Sequence, residues 1–265
     1  MVFHSPFEYS YLWLPLIGFI IGMLASMIGG GGGFFFPPLL ILLFKVPAQI
    51  AVATSLAATL PICLIGAAGH YRLGNLDWRT GIVFGIAGIG GALAGAAVTG
   101  WLSPEQLRKC FGIYSVILGI LLIMQNIKIN KGIPGGKETF FKRILRRIPK
   151  GSFYGFAGGA ITGIFGTSGT APVIAGLFAI RLPVKLIAGT SLMVIFINTV
   201  SGLVGHLAMG EVDLTLVWFL TAGTAVGAIT GPLITAGIKP AGHAGMIKKV
   251  FAYIVIFFGI IMILG

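Results

Sequence analysis

Acidic residues are scarce in this chain. Six Asp and Glu occur among 265 residues, and only 9% of positions are charged, against about 25% in a soluble domain. None of the six lies inside a long apolar stretch, and the chain has no HExxH helix and no GxSxG elbow, which excludes carboxylate-based catalysis, metal-dependent hydrolysis and the usual nucleophile constellations. The chain is not read as an enzyme. Cysteine is equally sparse: Cys63 and Cys110 have neither a CxxC partner nor a His/Cys neighbour, so a disulfide scaffold and a metal site are excluded and both read as buried small residues. The glycine run at Gly29–Gly33 has no preceding strand, no βαβ unit and no suitable acid downstream, which excludes a dinucleotide fingerprint. No cofactor is expected.

What the chain has is apolar length. It is 57% hydrophobic, and cutting it at its charges leaves eight long uncharged stretches: 9–44, 46–71, 80–104, 110–127, 151–180, 186–210, 214–238 and 250–265. Each is near or above the roughly 20 residues that cross a bilayer as a helix. They lack the period-2 alternation of a membrane barrel, so the fold class is an all-α polytopic membrane protein. The start has no basic segment before its apolar run and no small-residue cleavage motif, and is read as the first membrane segment rather than a removable signal.

The net charge of +12 is unevenly placed. Eight of the 18 Lys and Arg fall between Lys128 and Lys150, where Phe140, Phe141, Ile144, Leu145 and Ile148 alternate at helical spacing with Lys142, Arg143, Arg146 and Arg147. That pattern is an amphipathic helix on an anionic leaflet, and the partner it implies is a lipid bilayer, not nucleic acid.

The sequence is written twice. Gly18–Pro37 corresponds to Gly155–Pro172, Pro47–Leu56 to Pro183–Leu192, Gly69–Asp77 to Gly205–Asp213, and Gly91–Gly95 to Gly227–Gly231. This divides the chain into a first membrane repeat (1–125), a basic linker (126–150) and a second membrane repeat (151–265). The uncharged stretch 9–44 has 36 residues, about 54 Å as one helix against roughly 30 Å of hydrocarbon, so one straight crossing does not fit. If each half turns at its glycines it has five segments, and 15 of the 18 Lys and Arg then lie on the side of the linker, against 10 if each half crosses four times. The positive-inside bias favours five, which makes the repeats inverted, the linker cytoplasmic and both termini external, with eight to ten full crossings. The expected segments are 11–28, 34–44, 48–68, 80–101, 106–125, 151–166, 170–180, 184–205, 214–237 and 246–264. The second and seventh are half-helices.

The glycines mark the break. A helix ends near Ile28, the backbone runs unwound through Gly29–Gly33, and a new helix begins near Pro37. In the second half the chain is unwound at Gly166–Gly169, with Ser168 or Thr170 as cap and Pro172 in the first turn. Unwound backbone within a membrane belongs where it is enclosed by protein or lines a wet cavity, and new helix N-termini favour an anion. The candidate substrate-binding residues are Gly30, Gly31, Gly32, Gly33, Thr167, Ser168, Gly169 and Thr170, joined by Thr54, Ser55, Thr190 and Ser191 from the paired ATSL and GTSL motifs, and by Asn198. The GxxxG pairs Gly18–Gly22, Gly91–Gly95, Gly155–Gly159 and Gly227–Gly231 read as helix-packing surfaces. His70 and His206, each seven residues before an acid (Asp77 and Asp213), read as interfacial loop histidines, with coupling or gating by these four residues as the alternative.

The order GxxxG, GGGGGFFFP, P…ATSL and GHYRLGNLDW, duplicated over nearly the whole chain, resembles the sulfite exporter TauE/SafE family of bacterial and archaeal membrane proteins. The second copy departs from it, reading GTSGTAP where the family keeps GGG. The resemblance implies transport of sulfite, of sulfonates such as sulfoacetate, or of related sulfur-containing anions, commonly outward, across the cytoplasmic (inner) membrane of a prokaryote and without a cofactor. The expected function is a secondary transporter working by alternating access, with the anion between the breaks near the midplane, a proton as candidate coupling ion and a homo-oligomer compatible with it. An anion channel, or a transporter of a different small organic anion, is the alternative.

Overall fold

The computed structural model describes residues 2–124, 140–209, 212–237 and 244–265. Ten helices follow one another: α1 (Leu14–Ile28), α2 (Phe36–Leu43), α3 (Ala48–Arg72), α4 (Trp78–Trp101), α5 (Pro104–Met124), α6 (Phe140–Phe165), α7 (Thr170–Ala179), α8 (Val184–Met209), α9 (Leu214–Gly237) and α10 (Ala244–Leu264). Among the described residues, six apolar segments are long enough to cross a membrane, within α1 (with the 3-10 turn before it), α3, α4, α5, α8 and α9. The protein is an all-α polytopic membrane protein, and large apolar side chains such as Ile86, Trp101, Phe153, Trp218 and Phe257 stand exposed on its surface, where acyl chains would cover them.

The half-helices α2 and α7 have 8 and 10 residues, too short to span. One residue beyond each C-terminal cap the chain takes the left-handed region, at Lys45 (φ 52°) and Arg181 (φ 57°). The basic stretch 140–148 is helical and continuous with α6, which runs through Pro149, whereas the sequence places the start of this segment at 151. The rest of the expected linker, 126–139, lies outside the described residues.

All four GxxxG pairs sit at helix crossings. Gly18 and Gly22 of α1 lie against the backbone of Leu220 and Thr224 in α9, and Gly223 and Gly227 of α9 lie against Pro15 and Phe19. The second half repeats the arrangement: Gly155, Gly159 and Gly163 of α6 meet Phe84, Gly88 and Ala92 of α4, and Gly91 and Gly95 meet Phe156 and Ala160. A Cβ would not fit at these positions, and backbone-to-backbone approach is what small residues allow in lipid. Residue numbers rise together along both pairs, so α1 runs parallel to α9 and α4 parallel to α6. Two further pairs run oppositely. Gly66 of α3 meets Leu192 of α8 while Gly202 meets Leu56, and Gly112 of α5 meets Gly259 of α10 while Gly119 meets Ala252.

Two features fall outside the sequence expectations. Val2–Phe3 pairs in parallel with Val212–Asp213 as a two-residue β-ladder, which joins the start of the chain to the α8–α9 turn. Cys110, expected buried, is exposed on α5, whereas Cys63 is buried.

Candidate functional site

Both helix breaks form where the sequence puts them. α1 stops at Gly29, which adopts φ 81°, and the amides of Gly29 and Gly30 both donate to the Ala25 carbonyl. α6 stops at Gly166, φ 65°, whose amide donates to Thr162. This left-handed residue after the last turn is the usual glycine termination, open to few side chains.

The two breaks lie against each other. The hydroxyl of Ser168 donates to the carbonyl of Gly30, as does that of Thr170 at 2.7 Å, and the two hydroxyls are 2.7 Å apart. A Cβ on Gly31 would touch Ser168, and one on Gly33 would lie 3.0 Å from the Ser168 amide. Gly31, Gly32, Gly33, Thr167, Ser168 and Gly169 are all buried. The expected side-chain cap on α7 is not what forms: Gly169 occupies the cap position, neither half-helix has a side-chain cap bond, and Thr170 reaches across to Gly30 instead. Among the described residues, nothing accepts a hydrogen bond from the amides of Gly31, Gly32, Gly33, Thr167, Ser168 or Gly169. The hydroxyl of Thr167, a residue 2% exposed, also has no partner. Buried N–H groups left open in this number are rare, and here they lie in the two segments that lead into the N-termini of α2 and α7, where the macrodipole is positive. Open donors of this kind suit an anionic acceptor.

The paired ATSL and GTSL residues fasten each half to the break of the other. Ser55 donates to the Gly166 carbonyl at 2.8 Å and is 3.3 Å from that of Gly33, while Ser191 donates to the Gly29 carbonyl at 2.6 Å. The preceding threonines accept backbone amides from the opposite half, Thr54 from Asp213 at 3.2 Å and Thr190 from Asp77 at 2.9 Å. Each acid starts its own helix: Asp77 accepts the Thr80 amide and hydroxyl at the head of α4, and Asp213 accepts the amides of Ser5, Thr215 and Leu216 at the head of α9. Asn198 is buried where α8 meets α4 and α6, its side chain against Gly88; with its amide oriented to satisfy both groups it donates to Val194 and accepts from Gly159, each at 3.3 Å.

The histidines are not in loops, which corrects the sequence reading. His70 and His206 occupy the last turns of α3 and α8, 1% and 4% exposed. Each ring Nε2 donates to a carbonyl of the break-bearing helix of its own half, His70 to Ser26 at 3.1 Å and His206 to Gly163 at 2.7 Å. Sequence reasoning also missed an aromatic wall: Phe34 packs on Phe111, and Phe165 stacks on Tyr114 at 5.1 Å between ring centres. Phe34 follows one break and Phe165 precedes the other, and α5 lays its aromatic face over both. The spacing of Phe111 and Tyr114 on α5 was the available signal.

The model of the sulfite exporter TauE/SafE family matches residues 14–262. The chain belongs to that family. Its TauE/SafE relatives include a probable membrane transporter protein of Bacillus subtilis, YdhB, 32% identical over 222 residues (83% of this chain and 88% of the relative). A second from the same organism, YunE, is 25% identical over 266 residues, covering 94% of this chain and 96% of its own. The probable membrane transporter protein MJ0441 of Methanocaldococcus jannaschii is 30% identical over 216 residues, 78% of this chain and 77% of the relative. No solved structure matches the chain. This TauE/SafE protein is a membrane transporter and not an enzyme.

Proposed function

We propose that the protein is a secondary carrier of a small oxyanion, sulfite or an organosulfonate, in the cytoplasmic membrane of a prokaryote. The anion binds between Gly30–Gly33 and Thr167–Thr170. The observation that carries this reading is the set of six buried amides and one buried hydroxyl at the facing breaks, all without acceptors among the described residues. Ser168 and Thr170 add two donors that the Gly30 carbonyl occupies. An entering oxyanion replaces that carbonyl as acceptor, so the empty carrier keeps these hydroxyls satisfied and the loaded one exchanges one acceptor for another. With no fixed positive charge in the site, binding stays weak enough for release.

Alternating access needs two copies that can exchange roles. We read the halves as inverted repeats because α3 and α8, equivalent in sequence, and α5 and α10, equivalent in order, both pack antiparallel. Parallel copies would make each of these pairs run the same way. The same reading puts the basic segment and 15 of the 18 Lys and Arg on the cytoplasmic side and both termini outside. Transport then follows from rocking one break-bearing bundle against the other. Ser55 and Ser191 hold the breaks in register, and the His70 and His206 hydrogen bonds are two contacts within the halves that a coupling proton, taken up at Nδ1, would strengthen by charging the ring.

The test is uptake of radiolabelled sulfite into proteoliposomes under an imposed pH gradient. Saturable flux that follows the gradient supports a carrier. Conductance at channel rates, or no flux of sulfite or sulfoacetate in either direction, removes the proposal.

A further inference from the structure

A second place gathers positive charge, away from the breaks. Between the end of α2, the start of α3 and the start of α5 lies a cleft of about 430 Å³ lined by Ile41, Lys45, Val46, Pro104, Glu105 and Arg108, among others. Its one acid is already engaged: Glu105 accepts Lys109 at 2.7 Å. Among the described residues, neither Lys45 nor Arg108 has a carboxylate within ion-pairing distance, and the Nε of Arg108 is buried without an acceptor. A guanidinium donor shielded from water and unpaired is costly unless an acceptor arrives. The first turn of α5 is fixed by a reciprocal cap, Gln106 N–H donating to Ser103 Oγ at 3.2 Å and Ser103 N–H to Gln106 Oε1 at 2.9 Å, and its positive end adds to the two cations.

We propose that this cleft binds an oxyanion group, with Arg108 as the planar fork and Lys45 as the mobile counter-charge. On the transport reading above, on which this role rests, the cleft opens on the external face and serves as an anteroom that concentrates the solute before or after its passage through the breaks. The same chemistry is offered by the phosphate of an anionic phospholipid, whose acyl chain would lie along Ile41 and Val46.

The experiment compares wild type with Lys45→Gln, Arg108→Gln and Glu105→Gln, reconstituted in phosphatidylcholine alone and with phosphatidylglycerol. Sulfite flux, sulfite-dependent thermal shift and retention of phosphatidylglycerol through purification are measured. For a soluble solute, Lys45→Gln and Arg108→Gln raise KM about three- to tenfold at low ionic strength, with Vmax kept and the difference closing in high salt, while Glu105→Gln lowers KM. All of this occurs in phosphatidylcholine alone. For a lipid phosphate, the effects appear only with phosphatidylglycerol, which wild type retains and Arg108→Gln releases. Lys45 is exposed, so its variant keeps the test readable if Arg108→Gln misfolds. Equal KM, equal thermal shift and equal lipid retention in all four proteins overturn the proposal. If wild type carries no sulfite the transport reading falls, and thermal shift and lipid retention still decide the cleft.

Discussion

Ser55 Oγ lies 2.8 Å from the carbonyl oxygen of Gly166, a residue 111 positions later in the chain and the terminus of the other half's broken helix. Ser191 makes the reciprocal bond to Gly29 at 2.6 Å. Removing either hydroxyl leaves a buried carbonyl without that donor. Ser55→Ala and Ser191→Ala are each expected to cost about 1 kcal/mol, read as a lowered midpoint of thermal unfolding in detergent. Because Gly33 and Ala188 carbonyls also neighbour these hydroxyls, Thr substitution at either site should restore most of the loss. An unchanged midpoint in both alanine variants would show that the bonds do not hold the breaks.

Thr167 should behave in the opposite way. Its hydroxyl is buried and unpartnered, so Thr167→Val keeps the shape and removes an unsatisfied polar atom. Thermal stability is expected to hold or rise. As one of the donors of the proposed site the hydroxyl is also expected to matter for transport: kcat/KM for sulfite falls about tenfold in the same variant, close to 1.4 kcal/mol of lost transition-state stabilisation. Lower stability with unchanged flux would assign Thr167 to the fold and take it out of the site.

Helix packing gives a sharper contrast. Gly159 and Gly227 meet the backbone of Gly88 and Phe19, whereas a Cβ on Gly90 meets nothing within 4 Å. Gly159→Leu and Gly227→Leu are expected to abolish the monodisperse peak in size-exclusion chromatography, and Gly90→Leu, on the exposed face of the same α4, to leave it intact. Equal tolerance at all three positions would contradict the crossings described.

These contrasts also mark what could be read from the residues alone. Gly29 with Pro37, and Gly166 with Pro172, announce their breaks because glycine and proline act on the local backbone, and the observed half-helices begin at Phe36 and Thr170. The GxxxG pairs are legible for the same reason, since a missing side chain is itself the contact. The bond from the Asp213 amide to Thr54 spans 159 positions, and no local pattern names its partner. His70 was misread because "GHYRLGN" has the polarity of a loop, yet α3 continues to Arg72 and buries the ring against Ser26. Cys110 was misread because apolar surroundings imply burial only in water; in lipid the apolar face is the exposed one. "SPEQ" at Ser103–Gln106 carried a visible capping signature that an all-apolar reading passes over.

The proposed inversion of the halves has a direct chemical test. Lys45 and Arg181 occupy matching positions at the ends of α2 and α7, both exposed and both in the left-handed region. Inverted copies place them on opposite faces of the membrane, and parallel copies on the same face. On a background of Cys63→Ala and Cys110→Ser, a membrane-impermeant maleimide applied to intact cells should label Lys45→Cys and spare Arg181→Cys, and applied to inside-out vesicles should do the reverse. The charge distribution sets the sign of this expectation, because Arg181 falls on the side of the basic segment and Lys45 away from it. Labelling of both from one side would remove the inverted arrangement, and with it the symmetry that lets the two breaks exchange roles in a transport cycle.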